Sequence, residues 1–169
     1  TDRFYFQSEA TGWSHLYTVN VETDETQQLT SGAFEVYDPR LSKDGSTWIF
    51  ASSAHSPHER HVYRMPVDGG NMTRLTSREG TYHAAVSPDG EQLGLLYATT
   101  NRPPDVYLSD ASTDGSPSRV TTAPTDKWQE YDWRDPKITR FEASDGVNVP
   151  MQIFRPENSN GSAVLFVHG

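Results

Sequence analysis

A repeat of about 45 residues constrains this chain more than any other feature of it. Leu41-Ser42-Lys43-Asp44-Gly45 runs into Trp48-Ile49-Phe50, and Val86-Ser87-Pro88-Asp89-Gly90 runs into Leu93-Gly94-Leu95-Leu96. Each is an Asp-Gly turn between two apolar runs, the strongest short-range signal for a β-hairpin. Gly reaches positive φ without steric cost, Asp bonds its own backbone, and Pro88 presets the φ of a turn residue. The same period returns in the apolar-Tyr pairs Leu16-Tyr17, Val62-Tyr63 and Val106-Tyr107. It returns again in Leu29-Thr30, Leu75-Thr76 and Val120-Thr121, and in the openings Phe4-Tyr5-Phe6, Trp48-Ile49-Phe50 and Leu93-Gly94-Leu95. Four short apolar runs per unit is the period of a four-stranded propeller blade.

The unit predicts its own strands. One leads into the Asp-Gly turn (34–41, 82–86) and one leaves it (47–52, 92–98). A third carries the apolar-Tyr pair (16–21, 61–67, 106–110), and a fourth ends in Leu-Thr or Val-Thr. The chain is therefore expected to hold the last three strands of one blade and then two full blades. Each blade needs a neighbour to cover its faces. No segment keeps apolar residues at i, i+3, i+4 and i+7 over three turns, so helix is nearly excluded.

After Thr125 the repeat stops. Residues 126–133 are expected to be aromatic and extended, and Arg134-Asp135-Pro136 breaks them. Residues 137–143 and 148–155 alternate as two strands around Ser144-Asp145-Gly146. Residues 163–167 are a continuous apolar run, expected to be a strand buried on both faces of a mixed or parallel sheet. The predicted division is residues 1–133, the last blades of a β-propeller, and 134–169, a truncated second domain. Thr1-Asp2-Arg3-Phe4 reads as the middle of a protein, and the chain reads as cut after a buried strand. Both ends are expected to be artificial.

Composition narrows the function classes. The net charge is −9 with three lysines, which argues against nucleic acid, since phosphate binding needs clustered Lys and Arg. The absence of cysteine excludes disulfides and any Cys nucleophile or Cys metal ligand. No run approaches the ~20 apolar residues of a membrane span. Hydrophobic residues at 34% with aromatics at 11% suit short, half-exposed strands with aromatic fillers.

Several stretches together resemble one family. Glu9-Ala10-Thr11-Gly12-Trp13-Ser14-His15-Leu16-Tyr17 is similar to the Gly-aromatic-x-His-Leu-Tyr signature of dipeptidyl peptidase IV-like enzymes, within the prolyl oligopeptidase family of serine peptidases. Glu59-Arg60-His61-Val62-Tyr63 resembles the next blade of bacterial members, and Val147 to Pro156 resembles the strand pair that opens their hydrolase domain. The resemblance implies an all-β set of propeller blades followed by the first strands of an α/β-hydrolase domain. It implies a parent enzyme that cleaves short peptides from the amino terminus, post-proline type, by acyl transfer to a serine. It implies a periplasmic or secreted parent, although the residues themselves do not set the compartment. In such enzymes the catalytic Ser, Asp and His come later in the chain, and the acidic pair that anchors the substrate amine lies in an earlier blade. The chain itself is thus expected to be inactive.

The site residues follow from that placement. No Gly-x-Ser-x-Gly elbow occurs, so no catalytic residue is assigned within the chain. His168 and Gly169 are the oxyanion-loop candidates, because the segment after such a strand supplies a backbone N–H to the tetrahedral oxyanion. Relatives often carry Tyr where His168 stands. His55, His58 and His61 have a metal-like spacing, but Ser56-Pro57 precedes an extended strand, so the three are expected to scatter; neither a metal site nor a cofactor is assigned. Trp128, Tyr131 and Trp133 among acidic residues read as packing at the junction of two domains, with a sugar- or peptide-binding patch as the other reading. The expected partner is a peptide substrate. Association is expected through open blade edges or as a homodimer of the parent. The competing reading is a non-catalytic propeller scaffold for protein–protein interaction.

Overall fold

The structure, a computed structural model, describes residues 2–113 and 115–167. Its regular secondary structure is almost wholly antiparallel strand. Thr1–Thr125 and Asp126–Gly169 form two compact units.

In the first unit the strands group as the repeat demands. β1 (Arg3–Ser8), β2 (His15–Asn20) and β3 (Thr26–Gln28) make a three-stranded sheet in sequential order. β4 (Val36–Leu41), β5 (Thr47–Ser52), β6 (His61–Pro66) and β7 (Thr73–Arg74) make a four-stranded one. β8 (Thr81–Val86), β9 (Gln92–Thr99), β10 (Arg102–Asp110) and β11 (Ser118–Arg119) make another. Three strands, then four, then four is the expected propeller-blade series. Strand β10 begins four residues earlier than expected. Its register shifts between Arg102 and Asp105, where Pro103 and Pro104 fall. A bulge is where a residue without an N–H can sit inside a sheet.

The two Asp-Gly turns share one construction. The Ser42 hydroxyl donates to Asp44 Oδ1 (2.6 Å), and the Thr47 N–H donates back to Ser42 Oγ (3.0 Å). Ser87 and Asp89 repeat this, with the Gln92 N–H reaching Ser87 Oγ at 2.9 Å. Gly45 and Gly90 close the turns at φ 73° and 78°, a region that costs a residue with a Cβ. The hydroxyls that hold the Asp44 carboxyl pull it down to about 2.

The sheets stack face to face, and the period of two decides which residue serves which neighbour. Trp48 and Phe50 of β5, with Val36, Tyr63 and Met65, meet Leu16 and Leu29 of the first sheet. Ile49, one residue out of phase, joins Val62 and Leu75 against Leu93, Leu95, Tyr97 and Tyr107 of the third sheet. The middle sheet is therefore buried on both faces, which is why β5 reads as an unbroken apolar run. Burying one such side chain contributes about 1.5–3 kcal/mol. The far face of the third sheet, with Leu96, Val106, Leu108 and Val120, is exposed.

The second unit departs from expectation in two places. Residues 126–133 are not extended: Asp126–Gln129 forms a single helical turn, α1. The Trp133 indole N–H donates to the Trp128 carbonyl (2.9 Å) and the two rings stack at 5.0 Å, so the aromatics fold the segment back on itself. Strands β12 (Lys137–Glu142) and β13 (Asn148–Ile153) form the expected hairpin around Asp145-Gly146. Residues 163–167 are not a buried strand. They join no sheet among the described residues, and Val164 is 98% exposed. An apolar run becomes a buried strand only where partner strands and covering layers meet it.

Candidate functional site

The oxyanion-loop candidates His168 and Gly169 lie outside the described residues. The chemistry-bearing residues that are described gather elsewhere, at one end of the stacked sheets. Antiparallel order forces this: in each four-stranded sheet the second strand ends, and the first and third begin, at that end, and in the three-stranded sheet β1 ends and β2 begins there. Residues 9–14 and 53–60 are the loops there, joined by the chain entering β4 and β8.

Each sheet braces this end in the same way. The Thr30 hydroxyl accepts the Leu16 N–H at 3.0 Å and lies 3.1 Å from His15 Nδ1. His15 Nε2 faces the Gly32 carbonyl at 3.0 Å. A carbonyl only accepts, so in the neutral ring the proton sits on Nε2 and the Thr30 hydroxyl donates to Nδ1. One sheet on, Thr76 accepts the Val62 N–H (3.0 Å) and lies 3.0 Å from His61 Nδ1. In the third sheet Thr121 accepts the Val106 N–H and donates to Asp105 Oδ1, both at 2.9 Å. Burial alone would raise the Asp105 carboxyl. The Ala123 N–H, the Thr121 hydroxyl and the Arg119 guanidinium outweigh it and hold the group below the usual range. The brace joins His-Leu-Tyr or His-Val-Tyr at the start of a strand, or Asp-Val-Tyr just past the bulge in β10, to the Leu-Thr or Val-Thr that follows about 15 residues later.

The second brace differs from the first. Where His15 meets a carbonyl, His61 Nε2 meets the Glu59 carboxylate at 2.7 Å. His55 stands against the same ring, edge to face, with centroids 5.3 Å apart. His55 and His61 are therefore brought together rather than scattered. The reason is the Ser56-Pro57 turn, closed by the Glu59 N–H on the Ser56 carbonyl at 3.2 Å, which folds the loop back over the start of β6. Glu59 joins them and His58 does not. Burial pushes the His61 imidazole below its ordinary value, and the Glu59 hydrogen bond opposes the shift without overcoming it.

Thr76, His61 and Glu59 thus line up as hydroxyl, imidazole and carboxylate. This is a brace and not a nucleophile site. Thr76 is buried, its oxygen is occupied by the Val62 N–H, and the same Thr-His pair recurs at Thr30 and His15 with only a carbonyl behind it. Beside it, Gln7, Ser14, Glu35, Tyr37 and Asp38 line a shallow groove. The Ser14 N–H donates to Glu35 at 2.6 Å, and the Arg60 guanidinium lies 4.0 Å over the Tyr37 ring. In the second unit Trp128 and Trp133 stack, Tyr131 tilts against Trp133, and Arg134 pairs with Glu157 at 2.8 Å.

Stacked four-stranded antiparallel sheets, each buried against the next, define a piece of a β-propeller. Residues 1–104, more than half of the chain, match the family described as dipeptidyl peptidase IV (DPP IV) N-terminal region, and the chain belongs to that family. It is 35% identical over 109 residues to the "Probable dipeptidyl-aminopeptidase B" of Emericella nidulans, covering 62% of this chain and 12% of that protein. It is 29% identical over 160 residues to the "Dipeptidyl peptidase 4" of Arthroderma otae, covering 90% of this chain and 20% of that protein. The chain thus spans a fifth or less of the length of these relatives.

Proposed function

We propose that the chain is part of a serine exopeptidase that removes short peptides, post-proline type, from the amino terminus of its substrate. The observation that carries this reading is the match of residues 1–104 to the dipeptidyl peptidase IV N-terminal region, laid on sheets that stack as blades. Residues 1–133 supply the last propeller blades, and 134–169 begin an α/β-hydrolase domain. The hairpin β12–β13 outside the 45-residue register supports that division. The nucleophilic serine, its acid and its histidine belong to the rest of the parent protein, and this chain alone is inactive.

In such an enzyme the propeller gates the peptide and holds its amino terminus, while the serine forms the acyl-enzyme. His168 and Gly169 would sit where a backbone N–H meets the developing oxyanion, which is worth two to three orders of magnitude in rate at sites of this kind, about 3–4 kcal/mol. The exposed apolar face of the third sheet is where the ring of blades continues in the parent, and the open edges would let the isolated chain associate with itself.

The gene offers the first test. The ~200 codons that follow should encode a Gly-x-Ser-x-Gly elbow and, after it, an Asp and a His. Their absence overturns the peptidase reading in favour of a propeller that serves as a scaffold.

A further inference from the structure

The loop between β5 and β6 brings to His61 two side chains, Glu59 and His55, that the same brace at His15 does without. The internal repeat is the control. At His15 the brace is complete with a hydroxyl on Nδ1 and a carbonyl on Nε2. At the equivalent His61 the carbonyl is replaced by Glu59, and His55 is added. The three ligand-capable atoms lie within 4.8 Å of one another. The geometry points to a site in which His55, Glu59 and His61 hold one divalent transition-metal ion, with zinc as the natural probe.

The donor set fits that ion class. Two imidazoles and one carboxylate, with a remaining position for water, are the ligands that zinc takes at open sites. Tetrahedral zinc with ligands at 2.0–2.2 Å separates neighbouring donor atoms by about 3.3 Å. The His61–Glu59 contact would open from 2.7 Å to accept it, and the exposed His55 ring would close on it by side-chain rotation. His61 is already oriented from behind. Thr76 Oγ1 is pinned by the Val62 N–H and faces Nδ1, an outer partner of the kind that metal-bound histidines have. When Nε2 takes the metal, the ring proton moves to Nδ1 and the Thr76 hydroxyl turns from donor to acceptor. That exchange leaves the ring neutral. His55 is exposed and gives the ion a way in, while His61 is fully buried.

The positive charge of Arg74 reaches His61 and opposes a dication there, and the Glu59 carboxylate counters it.

This inference does not rest on the peptidase reading, because it concerns only residues of the loop and the strand that follows. The test is a titration of the full chain with Zn²⁺ by calorimetry at neutral pH, repeated with Co²⁺ to record its ligand-field absorption. One ion per chain is expected, with a dissociation constant well under about 1 mM. His55→Ala and Glu59→Gln should each weaken it by about tenfold or more. His58→Ala, in the same loop but outside the cluster, should leave it unchanged. Both His55 and Glu59 lie away from the sheet core, so the variants can be checked for an unaltered circular dichroism spectrum. Absence of saturable binding overturns the proposal. So does a loss on His58→Ala equal to that on His55→Ala, which would mean adventitious histidine binding.

Discussion

Replacing Thr76 by valine removes one hydroxyl and leaves the shape of the side chain almost unchanged. Two buried groups lose their partner: the Val62 N–H and His61 Nδ1, each 3.0 Å from Thr76 Oγ1. Val62 and His61 are both fully buried, so water cannot replace the hydroxyl. Orphaning a buried polar group costs about 1–3 kcal/mol. Two such groups, less about 1 kcal/mol regained by the added methyl, give a net loss of about 1–5 kcal/mol centred near 3. At about 2–4 °C per kcal/mol for a chain of this size, the midpoint should fall by about 6–12 °C. Thr76→Ser keeps the hydroxyl and should cost only about 1 kcal/mol, the worth of a methyl. The assay is thermal unfolding of the full chain followed by tryptophan fluorescence, with Trp48 as the buried reporter. Thr30→Val should behave alike, since Thr30 makes the same pair of bonds in the first sheet. A Thr76→Val variant as stable as Thr76→Ser would refute the brace as an energetic element.

Two further outcomes follow from named groups. The buried His61 imidazole resists protonation in the folded chain and takes a proton near its ordinary value of 6.5 when unfolded. The unfolded state therefore binds more protons below pH 6.5. The stability from keeping His61 neutral is complete above that pH and is lost as the pH falls through it, by at most about 1.4 kcal/mol per pH unit. An NMR titration should find His61 protonating below its ordinary value of 6.5 as pH falls, and Glu59→Gln should push it lower still; titration at or above 6.5 would contradict this. The uncovered face of the third sheet should make the isolated chain associate. Light scattering should show an apparent mass that rises with concentration, and Leu108→Lys, placing a charge in the middle of Leu96, Val106 and Val120, should reduce it. A monodisperse monomer at high concentration would count against the exposed face as a blade seat.

The sheets were legible in the sequence because each strand is announced locally. The Asp-Gly turns fix where β4 and β8 end and where β5 and β9 begin. The 45-residue spacing then places the apolar-Tyr strands and counts the blades. What sequence reasoning missed is contact between residues of different character. The Leu-Thr pairs were visible as repeats, but the hydroxyl's partner changes from His15 to His61 to Asp105, so no single pattern announces it. A polar residue directly before each apolar-Tyr pair was the available signal. The approach of His55 to His61 was also hidden, because it depends on a Ser-Pro turn that doubles the loop back rather than on any regular spacing. Residues 126–133 and 163–167 were misread for opposite reasons. In the first, stacking of Trp128 on Trp133 overrode an extended reading. In the second, the run is apolar but joins no sheet among the described residues.

The most direct test of the central proposal is hydrolysis of an Xaa-Pro chromogenic peptide by the full-length gene product and, in parallel, by this 169-residue chain. Turnover by the full-length protein, abolished by a serine-directed inhibitor, with no turnover above buffer by the chain alone, is the expected result. A full-length protein without that turnover, or a chain that hydrolyses the peptide by itself in an inhibitor-sensitive way, would contradict it.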